Sequence, residues 1–429
     1  MKTIKMPTIL TIACLLAATL RAQAASPSLP EAEIPFRDYI ERVREQNLSY
    51  AAEKLNIPIA ETGIVSARVF NDPQLSLGYE NNNDWHMQMG QGVSASLSKT
   101  FSPGKRRARI DLARSEKELG SALLEDFFRN LRAEATVAYL EALKQGELYR
   151  VRQNAYENLR QLADGDSVKF ALGKITEVDM IQSRLEAALM RNELTQAGAE
   201  LRNAYVALSG MLGEAATDTC FRPQGALPLL QRDFGTDALI GLALDNRADL
   251  TAALKNVDVA RKELTVARRE RNVDFDIELG VSHNTTVRNE IAPAPKFTGI
   301  SAGIAIPLKF SNFNKGSVEA ARYRAQQAEL LYREAEVQIR AEVMQCHRNY
   351  EALCEQVRRY NEGMLAQAKS VVDGRIYSYN RGESPLLEVL TAQRTYDDVR
   401  TLYIETLFNH AVSLVELEKS AGIWDIALE

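Results

Sequence analysis

The chain has 429 residues, of which 45% are hydrophobic and 25% are charged. This composition is ordinary for a folded protein of two or three domains, and it excludes global disorder. The formal net charge is −5 at pH 7, and it becomes −8 without residues 1–24, which contain three basic residues and no acid. A net negative chain argues against nucleic acid as a partner, because phosphate backbones attract basic surfaces.

The N-terminal segment, residues 1–24, predicts a secretory signal peptide. Lys2 and Lys5 precede an apolar run, and the run is followed by an Ala-x-Ala sequence. A membrane anchor is the alternative, but the run is shorter than the ~20 residues that a spanning helix needs. Cys14 leaves lipid attachment open. The remaining cysteines are odd in number and predict no disulfide framework; they are Cys220, Cys346 and Cys354.

Proline-free segments predict the helices. No proline occurs over 104–222 or over 308–384, and a proline inside a helix costs ~3 kcal/mol. The first segment holds a long helix and then a shorter one, at 105–170 and 176–212. The second holds a long helix at 317–379, and a shorter one at 385–421 begins at Pro385, after which no proline occurs. The first long helix carries an apolar repeat typical of a coiled-coil seam, formed by Leu124, Phe128, Leu131, Ala135, Ala138 and Ala142.

Four segments of roughly ten residues alternate between apolar and polar side chains, which predicts strands. The strands are expected at about 73–80, 92–101, 274–282 and 299–310. In the last of them Ile300 and Ile304 share one face, and Ser301 and Gly303 share the other. Such alternation is typical of a transmembrane β-barrel, and it is equally typical of a soluble, half-buried sheet. The pattern by itself leaves both open.

The second half of the chain repeats the first at an offset of 209 residues. This offset relates Gly173 to Gly382 and Gly213 to Gly422, so that turns and helix ends keep step. We therefore predict an internal duplication. Its parts are two structural repeats, a linker and a C-terminal tail, at 25–213, 247–422, 214–246 and 423–429. Because two long helices beside four strands leave unpaired sheet edges and no compact core, we expect the chain to oligomerise.

Motifs of catalysis or nucleotide binding are absent, since the sequence contains no GxSxG, HExxH, CxxC or P-loop. We therefore predict that the protein is not an enzyme and binds no cofactor. The one group with metal-ligand character is His86, Met87 and Met89, whose imidazole and thioethers would suit Cu(I) or Ag(I). These residues fall in a predicted loop between two strands, and ordinary loop residues are the favoured alternative.

Three segments resemble the TolC family of outer-membrane efflux proteins. They are FSPGKRRARIDLA at 101–113, NRADLTAAL at 246–254, and the segment at 382–422 that begins GESPLLEVL. Within the family, the chain is most similar to the outer-membrane components of heavy-metal tripartite pumps of the RND type. The resemblance implies a mainly α-helical fold with a transmembrane β part. Long antiparallel helical hairpins would form an α-barrel in the periplasm, and three chains would each contribute four strands to a 12-stranded barrel in the outer membrane.

The same resemblance assigns roles to the two turns between the long and the shorter helices. Gly173, Gly382 and Tyr379 would belong to periplasmic tips that contact an adaptor protein. Asp179 and Glu388 would place carboxylates around the aperture. The residues themselves leave an alternative, because an acid at this place also stabilises the first turn of a helix through the macrodipole. The implied partners are two further copies of the chain, a periplasmic adaptor, an inner-membrane RND transporter and outer-membrane lipid.

The predicted function is a passive exit duct in the bacterial outer membrane, through which heavy-metal cations leave the periplasm or an inner-membrane pump. Energy would come from that pump, since this chain has no nucleotide site. One alternative is a duct for drug efflux or type I protein secretion. Another is a periplasmic coiled-coil adaptor or scaffold, which also has long helical hairpins but lacks a second copy with four alternating strands.

Overall fold

The computed structural model describes residues 31–83, 88–213, 220–229, 232–308 and 313–425. The chain is mostly helical, with 71% of it in helices, and it folds as two compact units. The turn unit comprises Met1–Ala51, Asn130–Thr236 and Met344–Glu429, and the sheet unit comprises Ala52–Arg129 and Asp237–Val343. The predicted signal peptide at 1–24 lies outside the described residues.

Helices and strands follow one another in a fixed order. The helices are α1 (Phe36–Gln46), α2 (Leu48–Lys54), α3 (Asn56–Arg68), α4 (Lys105–Ala171), α5 (Glu177–Met211), α6 (Thr236–Asn246), α7 (Ala248–Arg269), α8 (Lys315–Arg359), α9 (Leu365–Asn380) and α10 (Leu386–Ala421). The strands are β1 (Glu31–Ile34), β2 (Gln74–Asn81), β3 (Gln91–Phe101), β4 (Cys220–Pro223), β5 (Phe275–Asn284) and β6 (Phe297–Ala305). Helix α4 continues for 67 residues without interruption, as its lack of proline allows.

A break between α8 and α9 corrects the single helix predicted over 317–379. The intervening residues, Tyr360–Met364, form one π-helical turn in which Gly363 has φ 138° and ψ −7°. Only glycine adopts such a φ at little cost, because it has no Cβ. The glycines inside α4 keep helical dihedrals, so glycine alone does not dictate a break. Tyr403 of α10 holds the turn in place, since its hydroxyl donates to the Asn361 side chain at 3.0 Å.

The sheet unit contains one antiparallel sheet of four strands in the order β2-β3-β5-β6. Leu75 of β2 lies opposite Leu97 of β3, which lies opposite Leu279 of β5 and, through it, Ala302 of β6. The last strand ends at Ala305 rather than at the predicted residue 310, and residues 309–312 lie outside the described part of the chain. Strands β2 and β6 form the two outer edges.

The turn unit contains a small parallel pair of strands that the sequence did not predict. Strands β1 and β4 pair in register from Glu31 with Cys220 to Ile34 with Pro223. Tyr139 of α4 secures this pair, because its hydroxyl lies 3.0 Å from the carbonyl oxygen of Ile34 and 2.8 Å from that of Gln224. Burial raises the pKa of Tyr139 to about 12, so the hydroxyl keeps its proton at neutral pH.

Three described residues of the predicted C-terminal tail are held against the turn unit. Arg232 donates to the Asp425 carboxylate at 2.7 Å, and it lies 3.5 Å from the buried carboxylate of Glu418. The guanidinium of Arg132 lies 4.2 Å from the centre of the Trp424 ring. These contacts fix the chain immediately after α10.

The NRADL sequence forms an ion-pair network around the buried Arg247 in the sheet unit. Arg247, the N-cap of α7, donates to both oxygens of Asp249 at 2.6 and 3.0 Å, and it donates to Glu342 of α8 at 2.8 Å. Arg129 of α4 lies 3.3 Å from the same Asp249 carboxylate. Burial acts to raise the pKa of Asp249, but the hydrogen bond from Arg247 and the charges of both arginines outweigh it and hold that pKa below its usual value.

Removing this carboxylate should destabilise the fold in a pH-dependent way. We expect Asp249→Asn to lower the free energy of unfolding by ~1–3 kcal/mol at neutral pH, because Arg247 loses a charged hydrogen-bond partner. A lowered folded-state pKa contributes stability that is fully present above the unfolded pKa and is lost as pH falls through the folded one. The difference from wild type should therefore begin to shrink below about pH 4 and vanish only below the lowered pKa of Asp249. Thermal unfolding in detergent measures both effects. Asp245→Asn, an exposed position on α6, is the control, and an equal shift in both variants would contradict the assignment.

Candidate functional site

The four-stranded sheet has one face made of exposed apolar side chains. Leu77 of β2, Val281 of β5 and Ile300 of β6 lie in one row across the strands, and Ile300 is 86% exposed. The exposed apolar side chains of this face also include Leu75, Tyr79, Val93, Leu97, Phe101, Ile277, Leu279 and Ile304. A continuous apolar surface of this extent is costly in water and marks a contact with lipid or protein.

The opposite face of the sheet carries small and polar side chains. Ser96, Gly280 and Ser301 form one row across it. A Cβ added at Gly280 would lie 2.6 Å from the Ser301 hydroxyl oxygen, so this face is closely packed along the row. A soluble half-buried sheet would cover its apolar face and expose its polar one. In the single chain the apolar face is left exposed, as is most of the polar one, and an uncovered apolar face favours contact with lipid.

The first tight turn, between α4 and α5, closes both helix ends with local hydrogen bonds. Gly173 has φ 69°, and the amides of Gly173 and Lys174 donate to the carbonyls of Phe170 and Lys169 at 2.8 and 2.9 Å. This is a Schellman motif, which satisfies the last carbonyls of α4. Helix α5 then begins with a reciprocal capping box between Thr176 and Asp179. The Asp179 carboxylate therefore has a local structural partner.

The second turn, between α9 and α10, repeats the first ending but not its beginning. Gly382 has φ 77°, and the amides of Gly382 and Glu383 donate to Tyr379 and Ser378 at 3.0 and 2.9 Å. Helix α10 starts after Pro385, which offers no side-chain cap. The Glu388 carboxylate instead accepts a hydrogen bond from Arg375 of α9 at 2.6 Å. The two acids thus occupy matching places with different partners.

Tyr379 connects the two turns from the inside. Its side chain is buried, and its hydroxyl donates to the Oδ1 atom of Asp166 on α4 at 2.8 Å. Lys169 lies 3.4 Å from the same oxygen and 4.0 Å from the centre of the Tyr379 ring. Burial raises the pKa of Tyr379, and the adjacent Asp166 carboxylate raises it further. The hydroxyl therefore remains a hydrogen-bond donor at neutral pH.

An apolar cluster surrounds this contact and joins all four helices that meet at the turns. It contains Ala155, Leu159 and Ala163 of α4, Ala187 and Met190 of α5, Tyr379 of α9, and Leu386, Val389 and Leu390 of α10. Gly173 and Gly382 remain exposed at the surface, whereas Tyr379 does not. Asp166, Lys169 and Arg375 belong to this site but were not identified from the sequence, because each meets a residue of another helix. Asp166 and Lys169 contact Tyr379, and Arg375 contacts Glu388.

The candidate metal ligands give no site within the described part of the chain. Of the predicted group, His86 and Met87 lie outside the described residues, and Met89 is exposed. No group of three or more His, Cys, Asp or Glu side chains able to hold a metal ion occurs among the described residues. Cys220, Cys346 and Cys354 form no disulfide with one another in the described part of the chain. The nearest approach to a soft-ligand pair is Cys354, whose sulfur lies 3.4 Å from Nε2 of the buried His410.

Comparisons with known proteins agree on one class. Residues 239–423 match the family described as outer membrane efflux protein. The cobalt-zinc-cadmium resistance protein CzcC of Cupriavidus metallidurans is 26% identical over 365 residues, which cover 84% of this chain and 83% of the relative. Outer membrane protein TolC of Vibrio cholerae is 23% identical over 392 residues, covering 88% and 87% of the two chains.

Solved structures show the same fold. CusC superposes with a TM-score of 0.74 at 16% identity, covering 90% of this chain and 92% of the other. The CmeC outer membrane channel of Campylobacter jejuni superposes with a TM-score of 0.74 at 15% identity, covering 90% and 85%. No helix in the described part of the chain combines the length and apolar character needed to cross a membrane.

The fold is that of an outer-membrane channel, with an amphipathic sheet and long helical hairpins. Over residues 239–423 the chain is similar to outer membrane efflux proteins, and over most of its length it is similar to the heavy-metal resistance protein CzcC and to TolC. The match is to a family of efflux proteins, which agrees with the prediction that the chain is not an enzyme.

The buried Tyr379 hydroxyl should hold the two turns together. Tyr379→Phe removes the donor to the buried Asp166 carboxylate, and we expect a local loss of ~1–3 kcal/mol. Hydrogen exchange should then accelerate at the amides around Asp166 and around Tyr379, with little change elsewhere. Tyr377→Phe is the matched control, because its ring is 62% exposed on the same helix. Equal acceleration in both variants would refute the role of the buried hydrogen bond.

Proposed function

We propose that this protein is the outer-membrane exit duct of a tripartite efflux system and that its cargo is heavy-metal cations. The observation that carries the proposal is the sheet, which has one exposed face of apolar side chains and an opposite face of small and polar ones. A strand pattern with an apolar outside and a polar inside suits a wall between lipid and a water-filled pore. A periplasmic adaptor would have no use for such a surface, which disfavours that alternative.

Three copies of the chain would complete the wall. Four strands cannot close a barrel, and open edges in lipid leave backbone groups without hydrogen bonds. Because all neighbouring strands are antiparallel, β2 and β6 run in opposite directions. Pairing β6 of one copy with β2 of the next therefore continues the antiparallel alternation, and three copies make twelve strands. The helical hairpins of the three copies would form the periplasmic tunnel.

An internal duplication explains the pairs of matching features within one copy. The two turns share the same Schellman geometry at Gly173 and Gly382. The following helices end at Gly213 and Gly422, both with a left-handed φ, at 73° and 66°. Each half would supply two strands and one helical hairpin, in the repeats 25–213 and 247–422. Residues 214–246 and 423–429 would then surround the tunnel.

The two turns are proposed as the periplasmic tips that dock on an adaptor, which in turn links the duct to an inner-membrane RND transporter. Exposed apolar side chains lie on and beside them, including Leu172, Val178 and Leu387. Gly173 and Gly382 are exposed and would approach the partner closely, because they carry no side chain. Tyr379 is buried, so we assign it a supporting role under the docking surface rather than a direct contact.

The proposed cargo rests on the relatives. CzcC is named a cobalt-zinc-cadmium resistance protein, and it aligns over most of both chains. A strain that lacks this protein should become sensitive to cobalt, zinc and cadmium. Resistance should return with wild type and with Ser76→Lys on the polar face of β2. It should not return with Ile300→Lys, because a lysine facing lipid near mid-membrane costs ~2–4 kcal/mol.

The amount of each variant in the outer-membrane fraction is the control for this test. Sensitivity to dyes or drugs without sensitivity to metals would support drug efflux instead. Full resistance with Ile300→Lys present at normal amounts would contradict a lipid-facing sheet.

We also propose that Asp179 and Glu388 ring the periplasmic mouth, so that three copies present six carboxylates. Gathered acids raise the local concentration of cations. In planar bilayers the channel should prefer cations, and Asp179→Asn combined with Glu388→Gln should lower that preference. Arg375→Gln should raise it, because Glu388 then loses its ion-pair partner. An unchanged reversal potential in both variants would reduce the two acids to helix stabilisers.

A further inference from the structure

A patch of basic side chains lies where the strands of the sheet join the long helices. Strand β3 leads into α4, and α7 leads into β5, at neighbouring places, because Phe101 pairs with Phe275. The two connections also touch: Lys105 lies 2.6 Å from Asp274, and the Asn272 amide donates to the Pro103 carbonyl at 3.2 Å. The side chains that make up this cationic belt are Arg106, Arg107, Arg109, Arg268 and Arg269.

Most of the belt has no anionic partner among the described residues. Arg107, Arg109, Arg268 and Arg269 are exposed and form no ion pair within the part of the chain that the structure describes. The nearby Asp274 is already paired with Lys105. The belt is therefore a concentration of positive charge on a chain whose net charge is negative.

Helix stability does not account for the arginines on α4. The first turn of α4 holds Lys105, Arg106 and Arg107 and no acid, although positive charge at a helix N-terminus is unfavourable by ~0.3–1 kcal/mol per residue. Arg268 and Arg269 lie in the last turn of α7, where positive charge does stabilise a helix. The basic residues in the first turn of α4 therefore destabilise their own helix, which indicates that they serve to bind something outside the chain.

Aromatic rings separate the belt from the apolar face. Phe101 and Phe275 stack at 5.4 Å at the end of the strands. Phe70 lies under the Arg106 guanidinium at 4.0 Å, and the Lys99 ammonium is 5.8 Å from the same ring. In membrane proteins an apolar surface is bordered by aromatic rings and then by cations at the boundary between the hydrocarbon core and the lipid headgroups. The same order of layers is present here.

The other end of the sheet shows no such excess. Its loops at 82–83, 88–90 and 285–296 carry Arg288 and Lys296, and Glu80 and Glu290 balance them within or beside these loops. The charge asymmetry therefore distinguishes the two surfaces of a membrane. Arginine is suited to one class of headgroup, because its planar guanidinium forms paired hydrogen bonds with phosphate oxygens.

We propose that the cationic belt binds the phosphates of anionic phospholipids in the leaflet nearest the helices. The proposal rests on the function proposed above, since it requires the sheet to lie in a membrane. The bound headgroups would offset the repulsion among the arginines. They would also set the depth at which the strands give way to the helices, because the belt lies directly beyond the last apolar row.

The test uses the full-length protein in nanodiscs of phosphatidylcholine, with or without phosphatidylglycerol. Native mass spectrometry reports the lipid that stays bound, and thermal unfolding reports stabilisation. Wild type should retain phosphatidylglycerol in preference to phosphatidylcholine and unfold at a higher temperature when it is present. Combining Arg107→Gln with Arg268→Gln should weaken the preference by about five-fold per arginine, which corresponds to ~1 kcal/mol for each basic residue at an anionic surface.

Arg333→Gln combined with Arg340→Gln is the matched control, because it removes the same charge from exposed positions further along α8. An equal loss in the control, or no preference in wild type, would overturn the proposal. Equal stabilisation by inorganic phosphate in phosphatidylcholine discs would also overturn it, since any phosphate would then suffice. Conductance in phosphatidylcholine bilayers distinguishes the two proposals. A protein that conducts but shows no lipid preference would contradict only lipid binding by the belt, whereas failure to insert would contradict the proposed exit duct.

Discussion

The backbone groups at the edges of the four-stranded sheet are the constraint on which the rest of this structure depends. Strands β2 and β6 each offer a row of amides and carbonyls that β3 and β5 do not use. The exposed face between them is apolar, and in lipid an unsatisfied backbone group costs several kcal/mol. Antiparallel pairing with another copy, as in the proposed trimer, would meet that cost without any new element. The reason to propose an assembly thus lies in the sheet rather than in the helices.

The two turns share one backbone geometry but differ in their side-chain contacts. Both end a helix with a left-handed glycine and a Schellman pair of hydrogen bonds. Beyond that point Asp179 closes a capping box, whereas Glu388 reaches back to Arg375. A ring of acids at such a mouth would therefore contain two unequal kinds of carboxylate. Replacing Arg375 would change the surroundings of the Glu388 carboxylate and leave those of Asp179 unchanged.

Burial of charge distinguishes the interior of each unit. In the turn unit the buried Asp166 is balanced by a tyrosine hydroxyl and a lysine. In the sheet unit Arg247 is balanced by two carboxylates. Removing one partner of such a buried, hydrogen-bonded charge is costly, because the other partner is then left buried and unpaired. They fix how helices meet within each unit, while the apolar surface governs what the protein meets outside.

The sequence alone determined the periodic features. Proline-free stretches allowed α4 to run for 67 residues, strict alternation produced the four strands, and glycines at 173 and 382 produced the turns. It also placed the apolar residues of each strand on one face, since that follows from a period of two. It did not reveal whether that face would be covered, because covering depends on what packs over a strand rather than on the strand itself.

Tertiary structure decided where the long helix breaks, since Gly363 leaves the helical conformation whereas the glycines inside α4 keep it. It also decided that Tyr139 and Leu140, which lie outside the expected seam, are buried. It also decided that Tyr379 meets Asp166. Those outcomes depend on partners far away in the chain, and local spacing carries no information about such partners.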